Sequence, residues 1–84
     1  SFLNLAAKYY KEAYDTEDFT ESDINEVMVA YLIGEISRRI GELEESIIWF
    51  NRVIEHTNKD KNIRIEKLAR EQWRNVRELI RGNN

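Results

Sequence analysis

Hydrophobic residues recur along this chain at intervals of three and four, the spacing that places them on one face of an α-helix. Four segments show this pattern, and they cover residues 2–14, 23–40, 43–55 and 62–81. The segments are separated by short connections, which favour antiparallel packing of successive helices. The pattern therefore predicts an all-α fold of four antiparallel helices.

Polar residues and a glycine mark where these helices begin and end. Residues 15–18 (Asp-Thr-Glu-Asp) compete for backbone hydrogen bonds and predict the end of the first helix. Asp23 followed by Glu26 resembles a capping box, which predicts the start of the second helix. Gly41 is predicted to end that helix in the left-handed conformation. The polar residues 57–61 predict a connection before the last helix.

The second predicted helix is apolar on two sides. Its first side carries Val29, Leu32, Ile33, Ile36 and Ile40, and its second carries Val27, Ala30 and Gly34. The remaining strip carries Met28, Tyr31, Glu35, Arg38 and Arg39. Two apolar sides require two neighbours, so we expect this helix to lie between others with its mixed strip facing a groove.

The first and last helices are expected to differ in how much of their apolar surface they bury. In the last helix we expect burial of Ile65, Leu68, Ala69, Trp73, Val76, Leu79 and Ile80. In the first helix, part of the surface formed by Leu5, Tyr9 and Tyr10 has no evident partner within this chain. Exposed apolar surface of this kind favours association, and homodimerisation is therefore one hypothesis for its role.

Composition narrows the class of protein. The chain has 84 residues, of which 42% are hydrophobic and 35% charged, as expected of one folded helical domain. It has no cysteine, which excludes a disulfide framework and any thiolate metal or redox site. No apolar run reaches the roughly 18 residues of a membrane span, so we expect a cytoplasmic protein. Because the chain begins Ser-Phe-Leu, we expect it to be a piece of a longer protein.

Charge is divided unevenly along the chain, although its net value is only −3. Residues 1–58 hold 5 basic and 12 acidic side chains, and residues 59–84 hold 8 basic and 4 acidic ones. Within the basic part, Arg70, Arg74, Arg77 and Arg81 form one stripe of a helix. Such a stripe could contact nucleic-acid phosphates, but neighbouring glutamates dilute its charge, and a solvated face or docking onto acidic surface is the simpler interpretation.

The segment from Ala30 to Phe50 resembles a tetratricopeptide repeat. Ile33-Gly34 corresponds to the Leu-Gly pair of that repeat, and Ser46-x3-Phe50 corresponds to its Ala-x3-Phe. Ala30 and Ser37 depart from the usual aromatic residues, and the closing proline is absent. The resemblance implies a right-handed α-α superhelix, with a half repeat at 2–14, a full repeat at 23–56 and a closing helix at 62–81.

A second resemblance covers roughly residues 24–75. The segments that carry it include Val-Ala-Tyr-Leu-Ile-Gly-Glu at 29–35, Trp-Phe-Asn-Arg-Val-Ile at 49–54 and Ala-Arg-Glu-Gln-Trp at 69–73. These segments are similar to the C-terminal part of a bacterial family catalogued as domain of unknown function 2225. The resemblance implies a bacterial cytoplasmic protein whose cysteine-pair module, similar to a zinc ribbon, lies outside this piece. It implies no activity.

The tetratricopeptide resemblance also implies a binding groove. Its candidate lining residues are Tyr31, Glu35, Arg38, Arg39, Arg70, Trp73 and Arg74. Arginine suits this role because its guanidinium forms bidentate hydrogen bonds with carboxylates. The expected partner is therefore a protein or peptide, including acidic peptides. The alternative is that Arg38 and Arg39 form surface ion pairs with Glu35, Glu42 or Glu45.

No arrangement of residues in the sequence indicates catalysis or a cofactor. His56 is the single histidine and follows the last apolar residue of its helix, without a nucleophile or companion ligands nearby in sequence. Glu44 and Glu45 point in different directions on a helix and do not make an acid–base pair. Trp49, Phe50 and Trp73 have the spacing of core residues. We therefore expect an interaction scaffold that is not an enzyme and binds no metal or cofactor.

Overall fold

A computed structural model describes residues 2–16, 26–60 and 63–82 of the chain. Within these ranges it consists of α1 (Phe2–Thr16), α2 (Glu26–Arg39), α3 (Leu43–Asp60) and α4 (Ile63–Gly82). The described residues contain no strand, and the predicted all-α fold is confirmed. The division into repeats and the right-handed sense of a superhelix stay predictions.

Successive helices run antiparallel. Glu26 at the start of α2 lies beside His56 near the end of α3, with Oε1 and Nε2 3.4 Å apart. Further along α2, Gly34 contacts Phe50, which lies earlier on α3 than His56. One cavity brings Asn4 and Ala7 of α1 next to Ile40, just beyond α2. Residues near the start of one helix therefore lie beside residues near the end of its neighbour, as antiparallel packing requires.

The core lies where α2, α3 and α4 meet. Its fully buried members include Ala30, Ile33, Phe50, Val53, Ala69 and Val76. α2 contacts all three other helices, as its two apolar sides predict. Ile33, whose exposure would have contradicted that prediction, has none of its surface exposed. The hydrophobic spacing in the sequence therefore identified the buried faces of the central helices.

A close approach of α2 and α3 is made possible by Gly34. A Cβ added to this glycine would lie 2.7 Å from Cε1 and 2.9 Å from Cδ1 of Phe50, closer than such atoms can approach. Phe50 is completely buried, and its ring also packs against Tyr31, with ring centroids 5.7 Å apart. The aromatic ring thus occupies the space that a side chain at position 34 would require.

Gly41 forms the turn that ends α2, as predicted. Its φ is +87°, in the left-handed region that favours glycine. The N–H of Glu42 donates to the carbonyl of Ser37 at 2.9 Å, and the N–H of Gly41 donates to that of Arg38 at 3.1 Å. This pair of bonds is a Schellman motif, which satisfies carbonyls at the end of the helix.

Side chains rather than close backbone packing join α1 to α3. The Lys11 ammonium lies 2.9 Å from Oε1 of Glu45. Further along, the rings of Tyr14 and Trp49 meet edge to face, with centroids 4.9 Å apart. The Arg52 guanidinium lies over the Trp49 ring, 4.3 Å from its centroid. An ion pair, an aromatic cluster and the hydrogen bond between Tyr14 and His56 therefore attach α1 to α3, in addition to the contact of α1 with α2.

α1 ends at Thr16, within the polar residues 15–18 that predict its end, and the Thr16 hydroxyl donates to the carbonyl of Glu12 at 2.8 Å and so supports the last turn. The predicted end of α3 was wrong. α3 continues to Asp60, so residues 57–60 are helical rather than part of a connection. The last turn of a helix can consist of polar residues alone. Hydrophobic spacing therefore cannot locate the end of a helix that continues past its last apolar residue. The predicted capping box begins at Asp23, outside the described residues.

Two residues predicted to be buried in α4 are exposed. Leu68 is 40% exposed and Leu79 is 50% exposed, whereas Ile65, Ala69 and Val76 are buried as predicted. At about 100° per residue, both leucines lie roughly a quarter turn from Ala69, beyond the stripe that the neighbouring helices cover. The apolar face of α4 is thus wider than the surface available to cover it.

Candidate functional site

The seven predicted groove residues lie in two clusters. Tyr31, Glu35, Arg38 and Arg39 follow one edge of α2, where ion pairs connect three of them. Arg70, Trp73 and Arg74 lie on α4 and line a cavity with residues of α3. None of the four α2 residues lines that cavity.

Glu35 is the centre of the α2 cluster. The Arg38 guanidinium donates to both carboxylate oxygens of Glu35, at 3.3 Å from Nε and 3.1 Å from Nη2. Arg39 is more distant, with Nε 3.9 Å from the same carboxylate. The hydrogen bond from Arg38 to Glu35 raises the pKa of Arg38, while burial opposes the shift. The predicted ion pairing with Glu35 is thus present, whereas Glu45 instead accepts from Lys11 of α1.

Tyr31 connects the α2 cluster to the core. Its ring packs on the buried Phe50, and burial is the main reason that the pKa of its phenol is raised. The carboxylate of Glu35 raises that pKa further, Arg38 opposes the shift, and Glu71 of α4 contributes to the rise. The charge that α4 adds near Tyr31 is therefore acidic.

The α4 cluster forms a cavity of about 250 Å³ with α3. Its lining consists of Asn51 and Ile54 from α3 and Arg70, Trp73 and Arg74 from α4. Trp73 and Ile54 are half-buried and pack on the core, so the floor is apolar and the arginines form the rim. Arg70 is engaged by Glu66, one turn earlier on α4, at 2.9 Å.

Arg74 and Trp73 give this cavity its chemical character. The Arg74 side chain makes no hydrogen bond or ion pair with any residue that the structure describes. The indole N–H of Trp73 is enclosed and has no acceptor among those residues. The Arg77 guanidinium lies 5.2 Å from the Trp73 ring centroid and extends the basic rim along α4. The cavity thus presents an aromatic floor beside an arginine that has no counter-ion within the described chain.

A second cavity of about 320 Å³ follows along the same two helices. It is lined by Glu44 and Ile47 of α3 and by Arg77, Ile80 and Arg81 of α4. Arg81 has only a loose ion pair with Glu78, at 3.8 Å. The predicted stripe of four arginines therefore lies along the junction of α3 and α4, beside both cavities. We refer to the two cavities with their four arginines as the α3–α4 groove.

Sequence reasoning missed half of this groove. The α3 residues Glu44, Ile47, Asn51 and Ile54 were not among the candidates, and Ile80 was counted only as core. A signal was available, since Ile47 and Ile54 are seven residues apart on one helix and Trp73 and Ile80 are seven apart on the next. Aligned in antiparallel order, the two helices pair Ile47 with Ile80 and Ile54 with Trp73.

His56 lies apart from both clusters. Its Nε2 is 3.4 Å from the Tyr14 hydroxyl and 3.4 Å from Oε1 of Glu26. It thus bridges the ends of three helices. Among the described residues there is no group of three or more potential metal-binding side chains. In the same part of the chain no helix is both long and apolar enough to cross a bilayer.

One family model matches this chain. It is described as an uncharacterized protein conserved in bacteria (DUF2225), and the match covers residues 1–76. No curated protein matches the chain. No solved structure matches it either. The matched range includes α1, α2, α3 and most of α4, with both cavities except for Arg77, Ile80 and Arg81.

Proposed function

Given that the chain belongs to this uncharacterised bacterial family, DUF2225, we propose that it is a non-catalytic interaction scaffold that binds a peptide or neighbouring domain. The proposal follows the sequence-based expectation of a protein or peptide partner. It moves the centre of binding from the edge of α2 to the α3–α4 groove. No catalytic step is included, since neither cluster combines a nucleophile with a base.

The observation that carries this proposal is the cavity beside Trp73. It combines a half-buried aromatic ring, an aliphatic side chain at Ile54 and the guanidinium of Arg74, which forms no ion pair with a described residue. Aromatic residues and arginine are the side chains most often responsible for binding energy at protein interfaces. An apolar side chain from a partner would fill the floor, and a carboxylate beside it would pair with Arg74.

The α2 cluster is the weaker candidate because its charges already satisfy one another. Arg38 uses two nitrogens on Glu35 and is about two-thirds buried, so a new carboxylate would have to displace an existing one. Arg39 is exposed, as Arg74 is, but it lines neither cavity of the α3–α4 groove, so an ion pair there is worth only about 0–1 kcal/mol. This edge can contribute to the rim of an interface but lacks a cavity of its own among those described above.

Selection of peptides from a random phage-displayed library against the immobilised chain tests the proposal. We expect enrichment of peptides that combine acidic and large apolar residues. Synthetic copies of the selected peptides should lose about tenfold or more in affinity for Arg74→Ala, measured by fluorescence anisotropy. Arg39→Ala is the matched control, because it removes an exposed arginine from the other cluster, and its affinity should change less than about threefold.

Three results would reject this assignment. In the first, the library yields no enriched acidic peptide. In the second, Arg39→Ala weakens binding more than Arg74→Ala, which would return the site to α2. In the third, a duplex oligonucleotide displaces the selected peptides and binds the chain more tightly than they do. That result would favour a nucleic-acid surface along the four arginines.

Self-association is the second candidate function, supported by the open face of α1. Phe2, Leu5 and Tyr9 are 83%, 69% and 67% exposed and lie on one side of the helix. Replacing Leu5 and Tyr9 by serine should abolish any dimer seen by light scattering at high concentration. A wild-type chain that stays monomeric under those conditions would rule out this role.

A further inference from the structure

The two cavities of the α3–α4 groove are related by a shift of seven residues on both helices. On α3 the shift takes Glu44 to Asn51 and Ile47 to Ile54. On the antiparallel α4 it takes Arg77 to Arg70, Ile80 to Trp73 and Arg81 to Arg74. Each cavity therefore has one aliphatic residue from α3, one large apolar residue from α4 and two arginines.

This shift sets the distance between the cavities. Seven residues of α-helix advance about 10.5 Å, which is close to two turns. A partner that fills both cavities must present two apolar side chains on one face at that separation. The groove therefore selects among backbone conformations as well as among side chains.

A helix meets this requirement better than an extended chain. Residues at i and i+7 of a helix lie on one face about 10.5 Å apart. A β-strand presents every second residue on one face, which gives separations of about 6.6 or 13.2 Å. A polyproline II segment gives about 9.3 Å with every third residue and falls short of the cavity spacing.

Charge determines the rest of the partner's chemistry. Four arginines and one glutamate line the two cavities, and the arginines all come from α4. Arg74 and Arg77 have no carboxylate partner among the described residues, whereas Arg70 and Arg81 have one each. The α4 flank of the groove is thus basic, in a chain whose net charge is −3. A partner helix would complement it with carboxylates along one flank.

We propose that the α3–α4 groove binds an amphipathic acidic helix whose two apolar anchors, seven residues apart, enter the two cavities. The inference rests on the proposed function and specifies its partner. It requires both cavities to act together, whereas the proposed function requires only the cavity beside Trp73.

The test uses two helical peptides of equal composition, each stabilised by lactam bridges and carrying glutamates on one flank. In the first, two leucines are seven positions apart. In the second they are five positions apart and lie on different faces. We expect the first to bind at least about tenfold more tightly, since only it fills both cavities. A proline-rich peptide with leucines three positions apart represents the polyproline II alternative and should bind more weakly than the first.

Equivalent variants then block the cavities one at a time. Glu44→Phe places a ring in the lining of one cavity, and Asn51→Phe places it at the equivalent position of the other. Both positions are exposed, so folding is not at risk and circular dichroism can verify it. Each variant should bind the first peptide about tenfold or more weakly than the wild type does. Glu55→Phe, an exposed α3 position in neither lining, is the control and should leave binding unchanged.

The outcomes separate this inference from the proposed function. If Asn51→Phe weakens binding but Glu44→Phe and leucine spacing have no effect, the two-cavity inference is wrong and a single-site scaffold stands. Tighter binding of the proline-rich peptide would overturn the helical partner. If no acidic peptide binds, including those selected from the library, both proposals are wrong.

Discussion

Two buried serines on either side of the Gly41 turn have very different surroundings. Ser37 of α2 and Ser46 of α3 are both completely buried. The Ser46 hydroxyl donates to the carbonyl of Leu43 at 2.7 Å. The Ser37 hydroxyl has no partner among the described residues. Since a buried polar group without a hydrogen bond is costly, the two side chains should contribute to stability with different signs.

Replacing each serine by alanine tests this difference. Ser37→Ala removes an unsatisfied hydroxyl and improves helix propensity, so we expect a gain of about 0–1 kcal/mol in the free energy of unfolding. Ser46→Ala removes a hydrogen bond, and we expect a loss of about 0.5–1.5 kcal/mol. Urea unfolding followed by circular dichroism measures both. A larger loss for Ser37→Ala than for Ser46→Ala would contradict the assignment.

At the scale of elements, the packing of α2 on α3 depends on a missing side chain. Gly34→Ala would place a methyl group 2.7 Å from Cε1 of the fully buried Phe50 ring, so the ring or the helix would have to shift. We expect a loss of about 1–3 kcal/mol in the free energy of unfolding, the usual range for overpacking. Gly82→Ala is the matched control, because a Cβ there meets nothing within 4 Å, and it should be neutral or slightly stabilising.

A second substitution shows whether the clash is the cause. In a Phe50→Leu background the ring that meets position 34 is gone, and Gly34→Ala should then cost markedly less. The difference between the two costs is a coupling energy, expected to be about 1 kcal/mol or more. If Gly34→Ala costs the same in both backgrounds, the contact with Phe50 does not explain the requirement for glycine.

The turn between α2 and α3 depends on backbone conformation alone. Gly41 has φ of +87°, and a Cβ added there would meet nothing within 4 Å, so a substituent would strain the backbone without a steric clash. Gly41→Ala should cost about 1 kcal/mol, and Gly41→Asn should cost less because asparagine tolerates this conformation better. Thermal unfolding of the two variants gives the order. Equal or greater loss with asparagine would contradict a purely conformational explanation.

Sequence patterns predicted those parts of the fold that depend on one helix at a time. The buried faces of α2 and the terminator at Gly41 follow from residue spacing and glycine chemistry. The end of α3 does not, because a helix can continue through polar residues. The exposure of Leu68 and Leu79 depends on how far the neighbouring helices extend over α4.

The candidate site shows the same limit. Spacing indicated that Arg70, Arg74, Arg77 and Arg81 share one stripe of α4. It could not indicate which neighbour that stripe borders, because this depends on the rotation of α4 about its axis in the packed domain. The expected groove on α2 therefore assigned Arg70, Trp73 and Arg74 to a different neighbour from the one they contact. Only the structure joins them with Asn51 and Ile54 of α3.

At the scale of the whole molecule, the attachment of α1 is the part most sensitive to solution conditions. α1 reaches α3 through the Lys11–Glu45 ion pair, and Glu45 also accepts a hydrogen bond from the Trp49 indole at 3.2 Å. The hydrogen bond from Lys11, followed by that from Trp49, lowers the pKa of Glu45. Both carboxylate and ammonium are about one-third exposed, so the pair is partly screened by solvent.

The lowered pKa of Glu45 fixes the sign of a pH dependence. The unfolded chain binds a proton at this site more readily than the folded one, so the ion pair stabilises the fold above the ordinary glutamate pKa. That contribution is lost as pH falls from the ordinary pKa through the lower folded value. Glu45→Gln should therefore reduce the free energy of unfolding at neutral pH by less than about 1 kcal/mol, and the difference from wild type should shrink towards about pH 3. Urea unfolding of Glu45→Gln and of the wild type, at neutral pH and at about pH 3, measures this difference.

Glu55→Gln replaces an exposed carboxylate on the same helix and is the control. Its difference from wild type should not shrink in acid. A difference that is constant or grows in acid would show that Glu45 does not hold α1 through its charge, and would leave the contacts of Tyr14 with Trp49 and His56 as the attachment between α1 and α3.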